Sequence, residues 1–229
     1  MCGRYAITLP PEAIRRMFGY AEQPNFPPRY NIAPTQPAPI VRMAGGVRHF
    51  GLVRWGFLPG FVKDPGTFPL IINARAEGIE SKPSFRAAIR RRRCLFIADG
   101  WYEWRRAQGP HGKPVRQPFL FRAPDRAALG FAGLWETWSD PQGGEIDTGC
   151  IITTSANAAI VAIHDRMPAI IAPQDFAQWL DCSDDRARRT DLLRPAPDDA
   201  IEFFEVSPQV NSYKSEGPHL QDPVEARLV

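Results

Sequence analysis

The sequence predicts an α+β fold, a single domain in which most strands pair antiparallel. Short apolar runs separated by glycine and proline predict many strands, and helical patterns are inserted among them irregularly. The strict alternation of strands and helices that builds a doubly wound parallel sheet is missing. No internal repeat and no shift in composition marks a linker, so we expect one domain over residues 1–229.

Local signals predict the first elements. Pro11–Phe18 is typical of a short helix, with proline at its start and Gly19 to end it. Residues 24–39 contain six prolines, which favour an extended, ordered surface segment rather than a linker. Residues 41–57 predict a hairpin that turns at Gly45-Gly46.

The rest of the chain continues this mixture of strands and helices. Runs rich in β-branched and aromatic residues predict strands at residues 94–98, 101–105, 119–122, 129–135, 150–154, 169–172 and 202–206. Apolar residues at helical spacing predict helices at residues 83–92, 173–180 and 185–193. The basic run at residues 90–93 then forms a solvated helix end.

Composition limits the class of protein. The chain has 229 residues, of which 44% are hydrophobic and 23% charged, as in a globular protein. No apolar run is long enough to span a membrane, and prolines interrupt any signal-like start. The four cysteines are scattered without metal-ligand spacing, so we expect reduced thiols, no metal, no cofactor and a cytoplasmic location.

Charge is distributed unevenly along the chain. Residues 1–122 hold 20 Lys/Arg against 7 Asp/Glu, a net charge of +13, whereas residues 123–229 hold 8 against 18, a net charge of −10. Surfaces built from the first half would attract a polyanion such as nucleic acid. Alternatively, the two halves interleave in the fold and neutralise each other.

The first residues carry the most informative chemistry. Removal of Met1 would leave Cys2 with an α-amine and a thiol on adjacent carbons. An aldehyde condenses with such an amine to an imine, and the thiolate then closes a five-membered thiazolidine. The ordinary pKa values, about 8 and about 8.5, allow both groups to react near neutrality. The positive charge of Arg4 would favour the thiolate and bind phosphate. The alternative is that the cysteine follows the initiator methionine by chance and has no special chemistry.

A second cluster follows the apolar pair at residues 71–72. At the end of a strand, Asn73 would hydrogen-bond a reacting centre without titrating, and Arg75 would hold a phosphate. Alternatively, Asn73 caps a helix and Arg75 forms a surface pair with Glu77.

Two titratable residues complete the candidates. Alternation along a strand places Glu103 on the same face as Trp101, and a carboxylate beside an indole in a cleft has a raised pKa that suits proton transfer. The alternative is an edge-strand glutamate in water. His164, followed by an aspartate and an arginine, is a candidate acid or base, although lone histidines usually have no catalytic role.

Together these motifs resemble one family, the SOS-response-associated peptidases, which are abasic-site processing proteins. The motifs occur in the family's order at residues 2–5 (CGRY), 28–35 (PRYNIAPT), 55–59 (WGFLP), 73–77 (NARAE), 100–104 (GWYEW), 164–168 (HDRMP) and 210–214 (VNSYK). The resemblance implies one domain with a mainly antiparallel, barrel-like core over about residues 2–217 and a C-terminal tail at 218–229.

The resemblance also implies a mechanism. Family members shed Met1, an autocatalytic peptidase step, and Cys2 crosslinks to the ring-opened sugar of an abasic site in single-stranded DNA, with possible lyase-type chemistry there. Asn73 would position the sugar and Glu103 would move protons. His164 would assist ring opening and reversal of the crosslink.

The implied partner is single-stranded DNA containing abasic sites. The residues expected to contact it are Arg4, Arg29, Asn31, Trp55, Phe61 and Arg75. At Phe61 the family often has a tryptophan that wedges against bases, and phenylalanine offers less stacking area. We expect a monomer that associates with the nucleoid when bound to DNA.

Two other functions fit parts of the pattern. An N-terminal-nucleophile amidotransferase also begins its mature chain with Cys-Gly, although an apolar residue usually follows where this chain has Arg4. A plain single-stranded DNA-binding protein would use the basic and aromatic residues without covalent chemistry.

Overall fold

The computed structural model describes residues 2–108, 113–140, 142–184 and 186–224. Thirteen strands lie in this part of the chain: β1 (Tyr5–Ile7), β2 (Arg29–Ile32), β3 (Pro37–Ala44), β4 (Val47–Trp55), β5 (Asn73–Arg75), β6 (Arg93–Ala98), β7 (Gly100–Gln108), β8 (Pro114–Arg122), β9 (Leu129–Ser139), β10 (Glu145–Ser155), β11 (Arg166–Pro168), β12 (Ile170–Ile171) and β13 (Glu202–Glu205). The α-helices are α1 (Pro11–Phe18), α2 (Ala88–Arg91) and α3 (Phe176–Leu180).

The strands form two sheets. The first has the order β13-β8-β7-β1-β2, and all its neighbours are antiparallel. In the second, β3, β4, β10, β9 and β6 pair in a ring that closes because β10 bonds to both β4 and β9. Within this ring only β4 and β10 are parallel. The predicted α+β class with a mainly antiparallel, barrel-like core is confirmed.

The length of β10 positions a second group of short strands. Beyond its pairing with β9, its last residues bond to β11 on one side and to β5 on the other. Of the strand predicted at residues 169–172, only β12 forms. Ala169 separates it from β11, because its N–H donates to Ile152 O (2.9 Å) while its carbonyl accepts from Ala132 (2.8 Å). The chain thus crosses from β10 to β9 at this residue.

Aromatic contacts join the five-stranded sheet to the barrel. Tyr5 of β1 packs edge-on against Trp55 of β4, with 5.2 Å between ring centroids. Trp101 of β7 packs edge-on against Phe131 of β9 at 5.8 Å. All four rings are completely buried, so one continuous core holds the two sheets together.

The opposite face of the five-stranded sheet carries a smaller core. Side chains of β1, β7 and β8 pack there against the C-terminal segment, and the buried members are Ala6, Tyr102, Leu120, Val206, Val210 and Leu220. Leu220 lies inside the range that the resemblance assigns to a tail, and residues 225–229 of that range lie outside the described residues. The C-terminal segment therefore forms part of the site's surroundings.

Local signals predicted α1 and the first hairpin correctly. Gly19 ends α1 in the left-handed conformation with φ 70°, and its N–H donates to Arg15 O. Gly45 and Gly46 both have positive φ, 57° and 79°, as a tight turn between β3 and β4 requires.

Two helix predictions were wrong in extent. In the range 83–92 only α2 is α-helical, and turns precede it. In the described part of 185–193 only a 3-10 turn forms at Thr190–Leu192. There, Arg188 pairs with Glu80 at 2.8 Å and Arg189 has φ 54°, so tertiary contacts override the helical spacing. Residue 185 lies outside the described residues.

The basic run at residues 90–93 also departs from the prediction of a solvated helix end. Arg93 opens β6 and is 1% exposed. Its guanidinium donates to Ile89 O (2.8 Å) and Trp179 O (2.6 Å), and also to Asp181 O. These hydrogen bonds satisfy carbonyl groups at the ends of α2 and α3. No pattern in the sequence predicts them.

In the described residues, no helix is both long enough and apolar enough to cross a membrane.

The barrel interior leaves no room beside Gly133 of β9. A Cβ there would lie 2.5 Å from Phe96 Cδ2 and 3.1 Å from Cys94 Sγ. We expect Gly133→Ala to lower the free energy of unfolding by about 1–3 kcal/mol through overpacking. Gly60→Ala is the matched control, because nothing lies within 4 Å of its added Cβ. Urea denaturation measures both, and equal midpoints for the two variants would contradict this packing.

Candidate active site

Cys2 lies three residues before β1, which runs between β2 and β7 in the five-stranded sheet. Its side chain is completely buried, and Asn73 Nδ2 donates to its carbonyl oxygen at 2.8 Å. Asn73 begins β5, where its Cα pairs with Ile151 of β10. Asn73 is therefore a strand residue rather than a helix cap, and it ties the start of the chain to the barrel.

Glu103 is on β7, the neighbour of β1. Its carboxyl group is 2% exposed, and burial raises its pKa from 4.5 to about 7. The predicted alternation is present, since Trp101 packs in the main core whereas Tyr102 packs in the smaller one. A solvated edge-strand glutamate, the alternative, does not describe this side chain.

His164 approaches Glu103 from the segment between β10 and β11. Its Nε2 lies 3.8 Å from Glu103 Oε2. The Arg166 N–H donates to Nδ1 at 3.0 Å, which in a neutral ring places the proton on Nε2, toward Glu103. Burial lowers the pKa of His164, while Asp165 Oδ1 at 3.2 Å from Nδ1 offers a partner for the protonated ring. Both protonation states thus have partners.

The Cys2 thiol is less acidic than the sequence analysis expected. Burial raises its pKa well above the ordinary range, and the nearby charge of Glu103 raises it further. Arg4 does not favour the thiolate, because its guanidinium donates to Asn31 Oδ1 (2.8 Å) and Val210 O (2.9 Å). The thiol is therefore neutral at neutral pH and needs a base before it can attack.

Two of the residues predicted to contact DNA are completely buried. Asn31 donates to Ser212 O and Ser215 O at 2.9 Å each. Trp55 Nε1 donates to Ile72 O at 2.9 Å and so fixes the residue before Asn73. Both side chains position the site's surroundings, and neither presents surface to a ligand.

The other predicted contacts lie at the surface. Phe61 is 60% exposed and meets Phe68 edge-on at 6.4 Å. Arg75 is exposed, and strand alternation places it on the same side of β5 as Asn73. Arg29 is tied to Glu216 (3.4 Å). The alternative pair of Arg75 with Glu77 does not form, because Glu77 binds Arg166 at 2.7 Å.

A cleft of about 500 Å³ opens beside these groups. It is lined by Gly3, Arg4, Glu103, Trp104, Arg106, Arg116, His164 and Asn211. A larger cavity of about 800 Å³ lies over β4 and β10, away from the four candidate catalytic residues, so chemistry rather than size identifies the site. In the described residues, no cluster of three or more His, Cys, Asp or Glu side chains is arranged to hold a metal.

Sequence reasoning missed four of the lining residues as functional candidates, Trp104, Arg106, Arg116 and Asn211. Trp104 Nε1 donates to Asn211 Oδ1 at 2.6 Å, and Arg4 lies 6.0 Å from the centre of the indole. Trp104 and Asn211 stand inside motifs that the resemblance used, which is the signal that could have found them.

The raised pKa of Glu103 predicts a pH-dependent stability. Its carboxyl binds a proton more tightly in the folded state, so its contribution is full below about pH 4.5 and is lost as the pH rises through about 7. We expect Glu103→Gln, which cannot ionise, to gain roughly 3 kcal/mol relative to the wild type between about pH 4.5 and about pH 9. Urea denaturation across this range tests it, and a difference that is constant with pH would contradict the buried ionisation.

Comparisons with known proteins show which family the chain belongs to. Residues 1–213 match the SOS response associated peptidase (SRAP) family. The abasic site processing protein YoqW of Bacillus subtilis is 35% identical over 224 residues, 96% of this chain and 98% of its own. YoaM of the same organism, also named an abasic site processing protein, is 36% identical over 228 residues, 97% and 98% of the two chains. A solved structure from Bacteroides thetaiotaomicron shares the fold, with a TM-score of 0.85 at 23% identity over 97% of this chain and 100% of that chain. The chain therefore belongs to the SRAP family.

Proposed function

We propose that this protein senses abasic sites in single-stranded DNA and captures them covalently through Cys2 after Met1 is removed. The relatives' names support a role in abasic-site processing. The observation that carries the proposal is a continuous set of contacts from Asn73 through Cys2 and Glu103 to His164. Asn73 binds the Cys2 carbonyl, the charge of Glu103 acts on the buried thiol, and His164 lies 3.8 Å from Glu103. Glu103 and His164 line the cleft. An abasic deoxyribose exposes an aldehyde, and a 1,2-aminothiol is the group that traps aldehydes selectively.

The amine of Cys2 reacts first, since burial keeps the thiol protonated. Its nitrogen adds to C1′ of the ring-opened sugar, and one water leaves to give the imine. Glu103, with a pKa of about 7, both gives and accepts protons near neutrality, as this addition and dehydration require. Asn73 supports the step by holding the Cys2 carbonyl at 2.8 Å.

The thiol then closes the ring. Sγ bonds to the former C1′ carbonyl carbon as the thiol gives up its proton, and the imine nitrogen gains one, so the thiazolidine forms with the net loss of one water. Glu103 is the base close enough for its charge to act on the thiol. His164, at 3.8 Å from that carboxylate, exchanges protons with it and assists opening of the sugar ring and reversal of the crosslink.

Exposed cationic and aromatic side chains suit a single strand. Arg75 lies on the Asn73 side of β5 and would bind phosphate, Trp104 lines the cleft, and the exposed Phe61 would offer a second stacking surface. Since an abasic lesion has no base to read, the protein needs stacking and phosphate contacts but no base-specific hydrogen bonds.

Two further activities belong to the proposal. Removal of Met1 is an autocatalytic amide hydrolysis that frees the Cys2 amine, and Met1 itself lies outside the described residues. Lyase-type chemistry at the imine would compete with ring closure, because an imine activates the sugar's β-phosphate for elimination. Binding to DNA would associate the protein, as a monomer, with the nucleoid.

Cys2→Ala tests the covalent step. After incubation with an oligonucleotide that contains one abasic site, we expect the wild type to lose Met1 and to gain the oligonucleotide mass less one water. We expect Cys2→Ala to form no adduct while it still binds the strand. Intact-mass spectrometry reads both events, and Cys182→Ala, which removes a partly exposed thiol elsewhere in the protein, is the control.

An adduct on Cys2→Ala, or none on the wild type once Met1 is gone, would refute the proposal. The same preparations separate the rival functions. Release of ammonia from glutamine would indicate an amidotransferase, and strand binding without any adduct would indicate a plain DNA-binding protein.

Arg75→Ala tests the predicted phosphate contact. Loss of one contact makes the plot of log affinity against log salt shallower by about 0.7 for a single strand. Arg15→Ala removes the same charge from α1, where Arg15 pairs with Glu12, and we expect it to leave the slope unchanged. Fluorescence anisotropy over a salt series measures the slopes of both variants. If Arg75→Ala keeps the wild-type slope, Arg75 does not contact a phosphate.

A further inference from the structure

Two arginines face each other across the β7–β8 hairpin at the mouth of the cleft. The register pairs the Cα of Arg106 directly with that of Arg116, and both side chains are exposed. Like charges directly opposite on neighbouring strands are destabilising. The pairing therefore requires an explanation other than stability.

The other arginines of this hairpin are neutralised. Arg105 binds Glu205 at 2.8 Å, and Arg122 binds Glu202 at 2.7 Å. Across the described residues, no carboxylate forms an ion pair with Arg106 or Arg116. The two glutamates of β13 thus neutralise Arg105 and Arg122, and they do not neutralise the charges of Arg106 and Arg116 at the cleft.

Arg106 and Arg116 also lie close to an aromatic side chain, Trp104, on which a base would stack. Arg106 follows Trp104 by two residues on the same strand, so both point to one side of the sheet about 7 Å apart. Asn211 holds the indole of Trp104 through a 2.6 Å hydrogen bond. All of these side chains line the cleft that contains Glu103 and His164.

We propose that Arg106 and Arg116 together grip one backbone phosphate of the strand as it leaves the cleft. The strand would place its damaged sugar at Glu103, a flanking nucleotide against Trp104 and the next phosphate between the guanidiniums. Two planar forks suit the oxygens of one phosphodiester, and its charge relieves their mutual repulsion. The order of these contacts rests on the proposed function, whereas the phosphate grip itself requires only a single strand.

The test uses an undamaged oligonucleotide without terminal phosphates, so neither Cys2 nor an aldehyde takes part. We expect Arg106→Gln, Arg116→Gln and the double variant to bind it roughly tenfold more weakly near physiological salt. Their salt slopes become shallower by about 0.7 if they share one phosphate. Arg106→Lys keeps the charge and therefore keeps the slope, although it loses the fork geometry. Arg105→Gln is the matched control, since this neighbour is already paired with Glu205.

Thermal unfolding without DNA supplies a second readout. Removing either arginine relieves the repulsion, so we expect Arg106→Gln and Arg116→Gln to unfold at the wild-type temperature or above it. A clear fall in that temperature would show that the pair holds the hairpin together and would overturn the proposal.

Two other results would also overturn it. The glutamine variants would keep the wild-type slope, or they would lose affinity only for strands that carry a 5′-phosphate, which would indicate a site for chain ends. Failure of the covalent proposal gives a different signature. The wild type would form no adduct with an abasic strand, while the salt slopes on undamaged DNA would still respond to Arg106 and Arg116.

Discussion

The pairing of β1 on both of its sides is the constraint on which the site depends. β2 and β7 pair with this three-residue strand on its two sides, and Cys2 lies three residues before Tyr5. The start of a chain is normally among its least ordered parts. Here the hydrogen bond from Asn73 to the Cys2 carbonyl fixes it against the barrel as well. The Cys2 amine and thiol that the proposed capture requires are thereby held in place by the fold.

Burial then sets the reactivity of the groups around Cys2. The same exclusion of water raises the pKa of the thiol, raises that of Glu103 to about 7 and lowers that of His164. In the proposed mechanism, a neutral thiol beside a carboxyl group that titrates near neutrality favours capture of the aldehyde by the amine before the sulfur. The packing of the barrel against the five-stranded sheet, which buries these groups, would then contribute directly to the proposed chemistry.

The sequence predicted those features that local patterns determine. Gly19 predicted the end of a helix, and Gly45 and Gly46 predicted the turn of a hairpin, because the ability to adopt a positive φ depends on the single residue. Alternation at residues 101–104 gave the correct faces of β7. The resemblance named Cys2, Asn73, Glu103 and His164, which lie close together in the fold although no single-sequence pattern relates them.

Prediction failed where distant contacts decide the outcome. The burial of Arg93 depends on carbonyls from residues 86 and 88 positions away, and the buried network of Asn31 depends on backbone some 180 positions away. The sequence analysis expected Arg93 at a solvated helix end, and the resemblance placed Asn31 against DNA, whereas the fold uses both side chains to satisfy backbone groups inside the protein. The facing arginines were equally hidden, because only the register of β7 against β8 brings them together.

The hydrogen bonds from Arg4 and Asn31 to residues 210–215 span nearly the whole chain. A ribosome releases the first strand long before the segment that completes this network. A nascent chain consequently cannot assemble the wall of the cleft that carries Asn211. A chain that stops before residue 210 therefore lacks the backbone partners of Arg4 and Asn31 and one wall of the cleft.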